Sequence, residues 1–306
     1  MRFEHIPHAV SVDPTAALGD ARTIHLRQGP VRIYERGAGR PLVFVHGLFV
    51  NAAAWRKVVP LLADSYRCIT ADWPFGGHHT PMSPDADLTP TGIADTIADV
   101  IDQLDLHDAT LIGNDGGGML SQLVVTRRPH RFGRLILTPC DAYENFPPPQ
   151  FNYLCRISRV PGIEHLAGRA LRIPAVRTRC ARSSIGFAEL TNSPIDTKVL
   201  DHYLHGVTHD AGVLRDSIEL LRAVDNRYTL DAAARFPTID LPVLIAWAPD
   251  DQVFPFHHAE QLAADFPNSQ LAEIPNSRTW VAEDQPERLA HLIREFIDPA
   301  AEMGQG

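Results

Sequence analysis

The pentapeptide Gly113-Asn114-Asp115-Gly116-Gly117 follows directly on the apolar run Ala109 to Ile112. A short buried strand that breaks into glycines around one reactive side chain has the form of a nucleophile elbow. The tight turn needs the glycines sterically and pushes the side chain out at the strand end. Serine is the usual occupant and makes acyl-enzymes from esters and amides. Aspartate changes the chemistry. A carboxylate displaces at saturated carbon and leaves an alkyl ester on the protein, so epoxides and alkyl halides become the natural substrates.

Such a side chain has to be positioned by a sheet. Thr23 to Gln28 and Val31 to Glu35 alternate apolar and polar residues around Gly29-Pro30, which predicts an antiparallel hairpin. Pro41 to Val45, Tyr66 to Thr70, Thr110 to Gly113, Leu135 to Leu137 and Val243 to Trp247 are short, nearly continuous apolar runs, the pattern of parallel strands covered on both faces. Thr89-Pro90 opens a helix that carries Ile93, Ile97, Val100, Ile101 and Leu104 along one side. Ala52 to Leu62, Met119 to Thr126, His257 to Ala264 and Pro286 to Phe296 fill the other crossovers. The alternation predicts an α/β fold with a mostly parallel, doubly wound sheet and its reactive groups at the carboxyl ends of the strands. It stops at Cys140 and resumes near Leu241. The organisation expected is a core from 1–141, an inserted helical lid over 142–236, a returning core over 237–298 and a disordered tail over 299–306.

The chain has 306 residues, 44% of them hydrophobic and 21% charged, enough for one large domain with an insertion. Its formal charge of -9 disfavours nucleic acid or an anionic membrane surface as the main partner, since both call for a cationic face. No stretch approaches the ~18 apolar residues of a membrane span, and the first residues carry no apolar signal core. A cytoplasmic protein with a small-molecule substrate is expected. Cys68, Cys140, Cys155 and Cys180 lack metal or disulfide spacing, and the helix-like trio His202, His205 and His209 lacks a carboxylate. No metal and no organic cofactor is therefore expected.

Four landmarks in order, Val43-Phe44-Val45-His46-Gly47-Leu48, Ala71-Asp72-Trp73-Pro74, the Asp115 elbow and Ala246-Trp247-Ala248-Pro249-Asp250-Asp251, resemble the α/β-hydrolase superfamily over nearly the whole chain. The resemblance implies the α/β-hydrolase fold with an inserted helical lid, Asp115 as nucleophile, backbone N–H donors from Leu48 and Gly116 for an oxyanion, and Asp251 as charge-relay acid. Its aspartate branch contains epoxide hydrolases and dehalogenases. Haloalkane dehalogenases usually place tryptophan after the nucleophile, where this chain has Gly116. Epoxide hydrolases use two lid tyrosines to assist ring opening, and Tyr153 and Tyr203 resemble that pair. Trp73, Trp280 and His78 are further residues that could face the substrate.

The terminal segment departs from the family. Arg278-Thr279 stands where Gly-His is usual, and threonine cannot accept a proton near neutral pH. His78, His79, His257 and His258 are the candidate replacements. Epoxide hydrolysis is the leading expectation. A non-hydrolytic ligand-binding, isomerase or lyase role is the alternative that the missing histidine supports, and a dehalogenase is the third. The basic run from Arg156 to Arg182 reads either as a face docked on an acidic core or as a site for an anionic substrate.

Overall fold

The computed structural model describes residues 13–184 and 186–299. An eight-stranded sheet runs in the order β1-β2-β4-β3-β5-β6-β7-β8. β1 (Asp20–Leu26) and β2 (Gly29–Arg36) form the expected hairpin, and β2 also pairs antiparallel with β4 (Tyr66–Ala71). β3 (Arg40–Val45), β5 (Ala109–Asp115), β6 (Phe132–Cys140), β7 (Val243–Trp247) and β8 (Ser269–Glu273) continue it in parallel. This is the α/β-hydrolase fold.

The continuous apolar runs have a direct cause. Successive strand residues point to opposite faces, so a strand covered on both sides needs apolar residues throughout. Val43 and Val45 join the cluster beneath α2 (Pro90–Gln103), α3 (Gly116–Arg127) and α10 (Phe256–Asp265). Their neighbours Leu42 and Phe44 join a second cluster under α1 (Val59–Leu62) and α12 (Pro286–Ile297). Thr89 caps α2 by accepting from the Gly92 N–H at 3.2 Å.

Two expectations are corrected. Ala52 to Leu62 is not one helix: a 3-10 turn over Ala52–Trp55 precedes the short α1, and the Asn51 side chain caps the turn by accepting from the Ala53 N–H. β8 is an unpredicted edge strand whose residues are only partly buried or exposed, so it lacks the apolar run that marks its neighbours.

Between β6 and β7 lie α4 (Asn152–Ser158), α5 (Ile163–Leu171), α6 (Pro174–Ala181), α7 (Thr197–His209), α8 (Ala211–Ala223) and α9 (Arg227–Ala233). The described part of this insertion contains no strand. After β8, α11 (Val281–Asp284) leads into α12. The tail from 300 onward lies outside the described residues. No described helix is long and apolar enough to cross a membrane.

Candidate active site

β5 ends on Asp115, whose φ of 56° lies in the left-handed region that non-glycine residues seldom occupy. A shift of register against β6 between Gly113 and Asp115 kinks the strand while Asp115 still pairs with Cys140, and α3 begins one residue later. The crowding requires glycine. A Cβ on Gly47 would overlap the Asp115 carboxylate, and one on Gly117 would overlap the main-chain oxygens of Val45 and His46.

The Asp115 carboxylate is surrounded by donors. Gly116 N–H donates to Oδ1 at 2.8 Å and the indole Nε1–H of Trp280 donates to Oδ2 at 3.4 Å. The Leu48 N–H also bonds the carboxylate. Burial outweighs these donors and, with the nearby Asp251 charge, lifts the carboxyl to about 6. Leu48 and Gly116, the expected backbone donors, are thus both brought to Asp115.

Asp251 follows β7. Its Oδ1 accepts from the N–H groups of Val253 at 2.7 Å and Phe254 at 3.0 Å. Desolvation raises its pKa above the usual carboxylate range. Thr279 is fully buried beside it, and its hydroxyl favours the charged form of Asp251. The contact is nevertheless too loose to satisfy either atom: Asp251 Oδ2 and Thr279 Oγ1 both lack a hydrogen-bond partner. The loop that carries Thr279 is fixed through its main chain, since Asn114 Nδ2 donates to the carbonyls of Thr279 at 2.6 Å and Pro139 at 3.1 Å.

Two residues enter the site that the sequence alone did not assign to it. Asp141, one residue beyond β6, is buried, and burial together with the Asp115 charge holds it well above the usual carboxylate range. An acidic residue immediately after a buried apolar strand is the signal that could have found it. Trp280, raised only as a residue able to face a pocket, touches Asp115 directly. Its ring meets Phe187 at 5.1 Å and Tyr203 edge-on at 6.1 Å. Phe187 also lines a cavity of about 330 Å³ with Ala181, Ile195 and Leu200.

Tyr203 on α7 therefore reaches Asp115 through Trp280, and its hydroxyl accepts from Arg56 at 3.2 Å. Tyr153 on α4 is half-buried, and burial with the Cys180 thiol raises its hydroxyl pKa. Trp73 and His78 are placed otherwise than expected. Trp73 is fully buried, and its indole N–H donates to the Phe44 carbonyl at 2.9 Å, so it has no donor left for a ligand. His78 is buried against Asp216 at 3.2 Å.

The other candidate bases also have neighbours of their own. His79 bonds Asp72 at 3.2 Å, and His258 lies 3.8 Å from Glu144, where it and His257 line a separate cavity of about 500 Å³. His46, buried after β3, accepts from the Trp73 N–H through Nε2 and donates through Nδ1 to the Gly47 carbonyl. Burial depresses its pKa to about 4, so it is a neutral structural bracket.

A model of the alpha/beta hydrolase family matches residues 42–292, and the chain belongs to that family. It is 26% identical to haloalkane dehalogenase 2 of Mycobacterium bovis, across 92% of this chain and 96% of the relative. It is 25% identical to a 2-hydroxy-6-oxononadienedioate/2-hydroxy-6-oxononatrienedioate hydrolase of Cupriavidus pinatubonensis, across 94% and 98%. Among solved structures, the epoxide hydrolase CorEH superposes with a TM-score of 0.75 at 16% identity, covering 92% of this chain and 99% of that one.

Proposed function

We propose that this protein hydrolyses a small, mostly apolar electrophile through an ester on Asp115, and that the electrophile is an epoxide. The carrying observation is the division of labour between the two Asp115 oxygens. Oδ1 is held by the Gly116 N–H, while Oδ2 meets the Trp280 indole, which packs on Phe187 and Tyr203 of the insertion. Oδ2 attacks carbon, and Oδ1 becomes the ester carbonyl oxygen, already seated among the donors that stabilise negative charge when water adds. Asp115 attacks as the carboxylate, so the first step strengthens as pH rises through about 6.

Tyr203 supplies the acid for ring opening. Its hydroxyl accepts from Arg56 and so keeps its own proton free to donate. Tyr153, on the lid, is the second tyrosine of that reading. The insertion closes over Asp115 as a lid, and the cavity beside Phe187 admits the apolar part of the substrate.

The test is intact-protein mass spectrometry after exposure to a panel of epoxides, with Asp115→Asn in parallel. An adduct or diol given by wild type and lost in the variant supports the reading; diol formed equally by Asp115→Asn overturns it. One observation favours a second reading. The Trp280 N–H beside Oδ2 is the kind of weak donor that a departing halide needs, so release of free halide from alkyl halides would move the assignment to a dehalogenase.

A further inference from the structure

The Asp115 reading leaves unexplained how the ester is hydrolysed without histidine. Where an imidazole is usual, three buried oxygens without hydrogen-bond partners come together: Asp251 Oδ2, Thr279 Oγ1 and Asp141 Oδ1. Their positions follow from topology. β5, β6 and β7 are adjacent strands, and Asp115, Asp141 and Asp251 occupy or follow their carboxyl ends. The Asn114 clamp brings Thr279 to the same end. The Asp251 charge raises Asp115 and the Asp115 charge raises Asp141, which ties the three carboxyls to one site.

Buried oxygens left unpaired are costly in a folded protein, and three around one reactive carboxyl point to a ligand that bonds them. A hydrophobic substrate cannot do so. Water can, because it donates two hydrogen bonds and accepts two. The donors already present also divide the carboxyls. Asp115 and Asp251 each receive two backbone N–H groups that favour the anion, whereas Asp141 receives only its own, against deep burial and the Asp115 charge. Asp141 therefore keeps its proton, and two anions rather than three share the site.

We propose that Asp251 Oδ2 and Thr279 Oγ1 hold the water that hydrolyses the Asp115 ester, and that Asp251 itself takes the water proton in place of an imidazole. This rests on the ester reading above. The water oxygen bonds to the Asp115 carbonyl carbon while one of its protons passes to Asp251, and the carbonyl electron pair moves onto Oδ1 under the Gly116 and Leu48 N–H groups. The bond from that carbon to Oδ2 then breaks. Oδ2 leaves with the substrate as an alcohol and takes the proton back from Asp251. The water oxygen remains on Asp115, whose second proton returns to solvent and balances the one consumed in opening the ring. Thr279 is a positioning residue in this scheme, and Asp251 is the base.

The experiment uses the full chain and styrene oxide in oxygen-18 water. Ester on the protein is followed by intact mass, and label in the Asp115 peptide by fragmentation. Wild type is expected to form the ester, clear it and leave label in Asp115. Asp251→Asn keeps an oxygen to accept from Val253 and Phe254; it should form the ester within about threefold of the wild-type rate and clear it at least ~100-fold more slowly. Thr279→Val should slow clearance about tenfold without changing ester formation.

Thr279→His is the spectroscopic and kinetic control. It returns an imidazole beside Asp251 and should move the pH profile of clearance into the histidine range. In wild type the profile should follow a raised carboxyl, with Asp115, Asp141, Cys140 and Arg278 as the titratable or charged groups around it. Clearance by Asp251→Asn at the wild-type rate, in a variant that melts like wild type, overturns the proposal while leaving the ester reading intact. Diol production with no ester and no label in Asp115 overturns the ester reading, and this proposal with it.

Discussion

The two sides of the site are built to different standards. On the β5 side both oxygens of Asp115 are bonded, one to Gly116 and one to Trp280, and glycines at 47 and 117 let the neighbouring backbone close around them. On the β6 and β7 side, Asp141, Asp251 and Thr279 each keep a buried oxygen without a partner. A polar group is left in that condition where something else completes it. On the mechanism proposed above, the bonded side serves the attack on substrate and the unpaired side serves hydrolysis of the ester.

The sharpest way to break the contrast is to remove the finished side. Asp115→Asn should lower turnover by about 10⁴-fold or more, measured as diol or halide release, because in the proposed mechanism both half-reactions pass through that carboxyl. Gly47→Ala leaves every donor present but places a methyl where the carboxylate lies, so about a 10²-fold loss in the rate of adduct formation is expected. Unchanged kinetics in the alanine variant would show that the elbow is looser than its packing indicates. Trp280→Phe deletes one long donor, and about a tenfold fall in adduct formation follows. A much larger fall with alkyl halides than with epoxides would favour halide as the leaving group.

The smallest effect is on stability, and its sign is distinctive. Asp115 titrates at about 6 in the fold, above its value in the unfolded chain, so the folded state binds the extra proton between the two. Stability is fully present below the unfolded value and is lost as pH rises through about 6. Asp141 and Asp251 are raised in the same direction and add to that loss. Asp115→Asn should therefore melt about 2–4 °C higher than wild type at pH 8, with the difference vanishing near pH 4, by calorimetry. A variant less stable than wild type at pH 8 would show that the donors around Asp115 outweigh its burial.

The same contrast sets how far the sequence could be read. β3, β5 and β7 were legible because burial on both faces leaves an uninterrupted apolar signature, and β8 was not, because an edge strand with exposed residues carries none. Asp115, Leu48, Gly116 and Asp251 could be located from local motifs whose glycines and acids sit at strand ends. Trp73 follows one of those motifs yet points into the core, since main-chain direction at that turn is set by the His46 bracket rather than by the tryptophan. Asp141 carries only the weak local mark of an acid following a buried strand, and Trp280 acquires its meaning between distant segments, where no short pattern in the chain records it. The inserted helices could be delimited by the loss of the strand pattern, but which of their tyrosines approaches the site depends on packing against Trp280.

Asn114 grips position 279 by its carbonyl, an atom every amino acid possesses. The clamp itself is thus blind to the side chain at that position. Changing one codon would trade the hydroxyl for a methyl or an amide by one base change, or for an imidazole by two with asparagine between them, and each of these residues offers Asn114 the same carbonyl.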